Sequence, residues 1–259
     1  MRILLTNDDG FHAPGLIAMY RAIADMGDVV VVAPSTVQSA TGHAVTFDRP
    51  IQTQRRRVLT DHGEEILGTA VEGRPADCVK LALNRLVDEP IDLVISGMNA
   101  GCNIGINVFY SGTVGAALEG AIQGVPSIAV SLHIGDRTKT PWDRAAIVAR
   151  DVIDQMMGGP LDPSVMMNLN IPILDDDAEP AGLKVLPVST SALVDDYHQS
   201  HDLSGDHGYT AVDSVAFRHT PPGSDVEAIF DRFITLTPLC IDLTHHEQVN
   251  EWSKHFNGK

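Results

Sequence analysis

Along the first two thirds of the chain, short apolar runs alternate with stretches in which apolar residues recur every three or four positions. The runs at 3–6, 29–33, 91–96, 127–132 and 165–171 are near-continuous, the pattern of strands covered on both faces. Between the first two runs, residues 15–26 place Leu16, Met19, Tyr20 and Ile23 at helical spacing. Residues 77–86, 113–123 and 142–157 read as further helices, and Pro75 stands where the first of these can begin. Residues 46–69 are mixed and extended, which predicts a small strand excursion. This alternation predicts an α/β fold built on a largely parallel sheet with helices on both faces.

Beyond residue 172 the regularity fades. The segments 175–177 and 195–208 read as solvated loops, 184–189, 211–218 and 233–236 as strands, and 245–256 as a short amphipathic helix. The expected organisation is a core over residues 1–172 and a smaller, irregular β-rich appendage over 173–259. A chain of 259 residues with 44% hydrophobic content buries a substantial core. No apolar run approaches the ~18 residues of a membrane span. The amino terminus enters a strand with Arg2 and carries no apolar leader, which places the protein in the cytoplasm. Cys78, Cys102 and Cys240 are odd in number and far apart, and fit neither a disulfide framework nor a zinc pattern. The net charge of −16 argues against a stable nucleic-acid complex. It also repels anionic substrates, unless a bound cation or aimed N–H groups reverse the field locally.

Such a reversal is suggested where the first strand ends, in Asn7, Asp8, Asp9 and Gly10. Two adjacent carboxylates at the mouth of a buried strand repel and lose solvation, and a hard cation offsets both. In an open parallel sheet, ligands bind outside the carboxyl ends of the strands. Two more loops leave such ends: one carries Ser39, the other Asn99 within Ser96-Gly97-Met98-Asn99-Ala100-Gly101. Carboxylates, a hydroxyl and an amide oxygen suit Mg²⁺, Mn²⁺ or Ca²⁺ better than zinc. The third loop ends in Tyr110-Ser111-Gly112-Thr113 before a helix, where free N–H groups and the dipole favour an anion. Metal ligands beside an anion cradle point to phosphate-ester chemistry.

The same residues carry a resemblance. Asn7-Asp8-Asp9-Gly10 with His12-Ala13-Pro14-Gly15, Val32-Ala33-Pro34 with Ser39, Ser96 to Gly101, and Tyr110-Ser111-Gly112-Thr113-Val114 resemble the survival protein SurE family. Ala76 to Val79, Ala129 to Leu132, Leu236 to Leu239 and Asp242 to Thr244 extend the match over most of the chain, in order. The resemblance implies a Rossmann-like core and a metal-dependent phosphatase of nucleoside 5′- and 3′-monophosphates, sometimes acting on short polyphosphate. It further implies a homodimer or homotetramer built through the C-terminal region. By the same resemblance, Asp8, Asp9, Ser39 and Asn99 hold one divalent cation per subunit, with Mg or Mn foremost, and Ser111, Gly112 and Thr113 cradle phosphate. Asp8 and Asp9 are the expected catalytic pair. Ser35, Arg74, Met98 and Cys102 depart from the family pattern; none is a proposed ligand, so they bear on substrate preference.

Plainer readings compete. Asp8-Asp9 can be a turn, Asn99 a left-handed loop residue, Ser39 a solvated hydroxyl, and Ser111 to Thr113 a helix cap. His12 reads as a loop histidine or a group that contacts substrate. His245-His246 reads as a solvated pair, Arg55-Arg56-Arg57 as a solvated strand face, and Cys102 as a thiol with no base beside it. Three rival functions fail on particular residues. A covalent aspartyl phosphatase needs an aspartate where Gly10 stands. A receiver domain needs a phospho-accepting aspartate near Ser96. A dinucleotide binder needs glycines where Asp8 and Asp9 stand. The alternative kept is a non-catalytic nucleotide- or phosphate-binding regulatory protein on the same scaffold.

Overall fold

A computed structural model describes residues 1–59, 63, 65–135, 139–174, 178–192, 197–201, 207–211 and 217–258. The chain forms, in order, β1 (Arg2–Thr6), α1 (Pro14–Ile23), β2 (Asp28–Pro34), β3 (Thr53–Leu59), β4 (Glu65–Val71) and α2 (Pro75–Leu81). Then come β5 (Leu93–Ala100), α3 (Gly112–Ile122), β6 (Ser127–Leu132), α4 (Trp142–Met157) and β7 (Val165–Ile171). The remainder holds β8 (Leu183–Val185), β9 (Tyr197–His201), β10 (His207–Ala211), α5 (Asp225–Phe230), β11 (Ile234–Cys240) and α6 (His246–Asn257).

Nine strands make one sheet in the order β3-β4-β2-β1-β5-β6-β7-β11-β8. Its centre, β4-β2-β1-β5-β6-β7, is parallel throughout, while β3 and β11 run antiparallel to β4 and β7. The fold is thus the α/β class that the alternation predicts, with the Rossmann-like core that the resemblance implies. From β1 the chain works outward to β3, then crosses back to β5 on the other side. The carboxyl ends of β1 and β5 therefore flank the topological switch point.

Side-chain alternation along the strands divides the core into two. Ile3, Leu5 and Ile95 face α1 and α4 through Leu16, Met19, Ile23, Ala149 and Ile153. Leu4, Val32 and Val94 face the other way, onto Cys78 and Val79 of α2 and Ala116 of α3. Fully burying one such aliphatic side chain is worth about 1.5–3 kcal/mol, so both layers are needed to hold the central strands flat between helices.

Several expectations are revised. The 97–112 loop begins later than expected, because β5 continues through Ala100 with a register shift between Ser96 and Asn99, and a 3₁₀ turn spans Gly105–Phe109. The second helix ends as an α-helix at Leu81 and widens into one π-helical turn, Ala82–Leu86. The expected strand at 184–189 shrinks to β8. Part of the segment read as a loop at 195–208 is instead the antiparallel pair β9–β10. Most of the expected strand at 211–218, and the 175–177 loop, lie outside the described residues. The last expected strand is longer than read and joins the main sheet through β7. Arg55, Arg56 and Arg57 are exposed on the edge strand β3, whose charge discourages pairing with another sheet. No helix among the described residues is long and apolar enough to cross a membrane.

Candidate active site

β1 delivers Asn7, Asp8 and Asp9 beyond its last sheet bond, and the local sequence then turns the chain sharply. The Asn7 side chain accepts from the Gly10 amide at 3.2 Å and donates to the Gly10 carbonyl at 3.0 Å, clasping the turn. Gly10 sits at φ +99°, a conformation that L side chains rarely adopt. The clasp leaves the two carboxylates on separate supports. Asp8 is buried and accepts a 2.6 Å hydrogen bond from the Thr113 hydroxyl on α3. Asp9 is half-buried and accepts from the Ala100 amide at the end of β5, at 3.0 Å.

Burial raises the Asp8 carboxyl to about 6, against stabilising hydrogen bonds from Thr113, with the neighbouring Asp9 charge raising it further. A carboxylate held this way is short of positive charge.

Both aspartates line a cleft of about 610 Å³ at the switch point, together with Ser39, Asn99 and Ser111. The Asn99 amide nitrogen donates to the Gly101 carbonyl at 2.7 Å, which leaves Oδ1 as the group available to a ligand. Ser39 is exposed on the loop after β2. That loop is tied down by Gln38 N–H to the Asp8 carbonyl (2.7 Å) and Gly42 N–H to the Tyr110 carbonyl (2.9 Å). Among the described residues no three His, Cys, Asp or Glu side chains cluster as a metal site. Any ion here would thus rest on two carboxylates completed by neutral oxygens, a set that fits a hard, oxygen-seeking cation and not zinc.

The start of α3 is the second half of the site. Ser111 caps it by accepting from the Val114 amide at 3.1 Å, so the hydroxyl proton remains available to donate into the cleft that Ser111 lines. Gly112 lets α3 approach β1: a Cβ there would stand 2.9 Å from Asp8 Cβ and 3.0 Å from Pro75 Cγ. Thr113 is fully buried and turned to Asp8, away from the cleft wall. The structure thus brings Asp8, Asp9, Ser39, Asn99 and Ser111 to one cleft, with Gly112 and Thr113 packed behind Asp8.

His12 is exposed and stands apart from the residues lining the cleft, edge-on to Phe11. Cys102 lines the cleft, but burial pushes its thiol up to about 12, so it stays protonated. His246 pairs with Asp242 on the exposed tail. Sequence reasoning missed the polar knot beneath the site loop. Asn103 N–H donates to Asn170 Oδ1 at 2.7 Å, its side chain donates to Ser131 Oγ at 2.8 Å, and its carbonyl accepts from Asn168 and Asn170. The one available signal was Asn168 and Asn170 alternating in an otherwise apolar strand.

A family model described as survival protein SurE matches residues 3–194. The 5′-nucleotidase SurE of Rhodopirellula baltica is 42% identical over 253 residues, covering 97% of each chain. That of Heliobacterium modesticaldum is 40% identical over 261 residues, covering 100% of this chain and 93% of its own. The crystal structure of SurE protein from Aquifex aeolicus matches with a TM-score of 0.81 at 32% identity, over 99% of this chain and 100% of that one.

Proposed function

The chain belongs to the survival protein SurE family, and from that membership and the cleft we propose a phosphomonoesterase that hydrolyses nucleoside 5′- and 3′-monophosphates to nucleoside and phosphate. The observation that carries this reading is the pairing of Asp8 and Asp9 with the capped start of α3 across one cleft at the switch point. One divalent cation, Mg²⁺ or Mn²⁺ foremost, would be held by Asp8, Asp9, Ser39 and Asn99. When bound it supplies charge neutralisation at the phosphoryl oxygens and acidifies water.

The chain's own groups do the rest. The Ser111 hydroxyl and the Gly112 amide at the positive end of α3 orient the phosphoryl oxygens. Thr113 holds Asp8 in one rotamer by its 2.6 Å hydrogen bond, and the Ala100 amide holds Asp9. One of the two aspartates orients the attacking water, and the lesser burial of Asp9 favours it for that role. Against a net charge of −16, this local set decides whether an anionic ester enters. Short-chain polyphosphate presents the same phosphoryl group and is a second candidate substrate. The exposed apolar face of α6, with Val249, Trp252 and Phe256, supports a homodimer or homotetramer in solution.

The test is phosphate release from a panel of nucleoside 5′- and 3′-monophosphates in EDTA and with added Mg²⁺ or Mn²⁺. Release that EDTA stops and metal restores is the expected result. Binding without release, under every metal, would favour the regulatory alternative.

A further inference from the structure

The cleft is lined by two chemically different sets of residues. Asp8, Asp9 and Asn99 bring oxygen atoms to its lining, whereas Tyr110, Ile134 and Phe230 bring apolar and aromatic surface. Phe230 is the last residue of α5, whose other large apolar residues, Val226 and Ile229, are buried against Ile104. Phe230 itself is 54% exposed, and Tyr110 is 56% exposed. Exposing an aromatic ring at a cleft wall forgoes hydrophobic stabilisation unless a ligand covers it.

Phe230 is also held, not loose. The His133 and Phe230 rings meet edge to face with centroids 5.3 Å apart and planes at 82°, and the Phe230 ring still stays half exposed to the cleft it lines. α5 is tied to the site loop because the buried Asp225 carboxylate accepts the Gly105 and Ser189 amides, both at 2.8 Å. The helix that ends in Phe230 is thus hydrogen-bonded to the loop that follows β5. Asn103, a polar residue of the same lining, is consumed by its own buried network.

We infer that Phe230, backed by His133, is the platform on which the nucleobase of the substrate stacks, so that it is a specificity-determining residue distinguishing nucleotides from base-free phosphate esters. The inference rests on the nucleotidase reading above and adds the part of the substrate that reading leaves undefined. Every base has a π-face, so stacking selects for the presence of a base more than for which base it is. The cleft volume of about 610 Å³ lies within the range of small-molecule sites, which leaves room for a base as well as a phosphate.

The experiment compares wild type with Phe230→Ala and Phe230→Tyr in Mn²⁺, measuring KM and kcat for AMP and UMP, and the inhibition constant of inorganic phosphate as a base-free probe. Because Phe230 is half exposed at a helix end, the alanine variant is expected to melt near wild type. Phe230→Ala should raise KM for both nucleotides by roughly 5- to 100-fold, with kcat changed much less and phosphate inhibition unchanged. Phe230→Tyr should restore KM. A KM rise matched by an equal weakening of phosphate inhibition would overturn the platform, because the defect would then lie at the phosphate end. Unchanged KM for both nucleotides would overturn it as well. Absence of phosphate release by wild type itself would instead remove the nucleotidase reading on which the inference stands.

Discussion

Replacing Asp8 by asparagine should make the metal-free protein more stable while removing its activity. Asp8 is 6% exposed, and burial together with Asp9 raises its carboxyl from 3.8 to about 6. A shift of about two units corresponds to about 3 kcal/mol of differential interaction. The sign follows from proton counting. Between pH 3.8 and about 6 the folded state retains a proton that the unfolded chain has released, so stability falls as pH rises through that window. Above it, the full penalty of a buried carboxylate remains. Asparagine keeps an acceptor for the Thr113 hydroxyl and cannot ionise.

The assay is urea unfolding of wild type and Asp8→Asn in EDTA at pH 7.5 and pH 4.5, at fixed protein concentration. Asp8→Asn should be more stable by about 3 kcal/mol at the higher pH and by about 1 kcal/mol at the lower. Added Mn²⁺ at about 100 times its dissociation constant should return about 2.7 kcal/mol to wild type and little to the variant. A variant less stable than wild type at pH 7.5, or an advantage equal at both pH values, would refute the reasoning.

Four further outcomes are expected. Asp9→Asn should abolish metal-dependent phosphate release while circular dichroism stays that of wild type; normal turnover would remove Asp9 from the site. Thr113→Val should lower kcat by about tenfold or more and raise the Asp8 carboxyl further, whereas Thr113→Ser should recover most of the rate; phosphate-release kinetics would register the rate, and calorimetric metal titrations across pH the carboxyl. Gly112→Ala puts a Cβ 2.9 Å from Asp8 Cβ, so it should destabilise by about 1–3 kcal/mol and reduce metal affinity, read by denaturant unfolding and calorimetry. Asn170→Ala removes an acceptor for the buried Asn103 amide and should cost about 1–3 kcal/mol in thermal unfolding, where no change would mean that the knot is not structural.

The parallel centre of the sheet was readable because strands covered on both faces are apolar at most positions. The acidic corner was readable because Asp8 and Asp9 violate that rule where β1 ends. What escaped has physical reasons. β9 and β10 are made of Tyr-His-Gln-Ser-His and His-Gly-Tyr-Thr-Ala, which carry no apolar alternation and are strands only because they pair with each other. β11 mixes Thr235 and Thr237 with Leu236 and Pro238, so its membership of the main sheet depends on β7 beside it. The partner of Asp8 is a tertiary fact, 105 residues away, that no local pattern encodes. Phe230 was invisible because α5 has six residues, too few for a helical period to emerge.

The switch point also sets a timetable for biosynthesis. β1 leaves the ribosome first, but its neighbour β5 ends at Ala100 and the Thr113 hydroxyl that steadies Asp8 follows later still. Until then, the two carboxylates have neither of the hydrogen bonds that hold them in the finished protein. Parallel pairing over such separations is intrinsically slow to form. The wall bearing Phe230 must await α5, more than a hundred residues after Thr113. On the reading proposed above, a nascent chain thus acquires Asp8, Asp9 and the start of α3 well before it possesses the Phe230 platform.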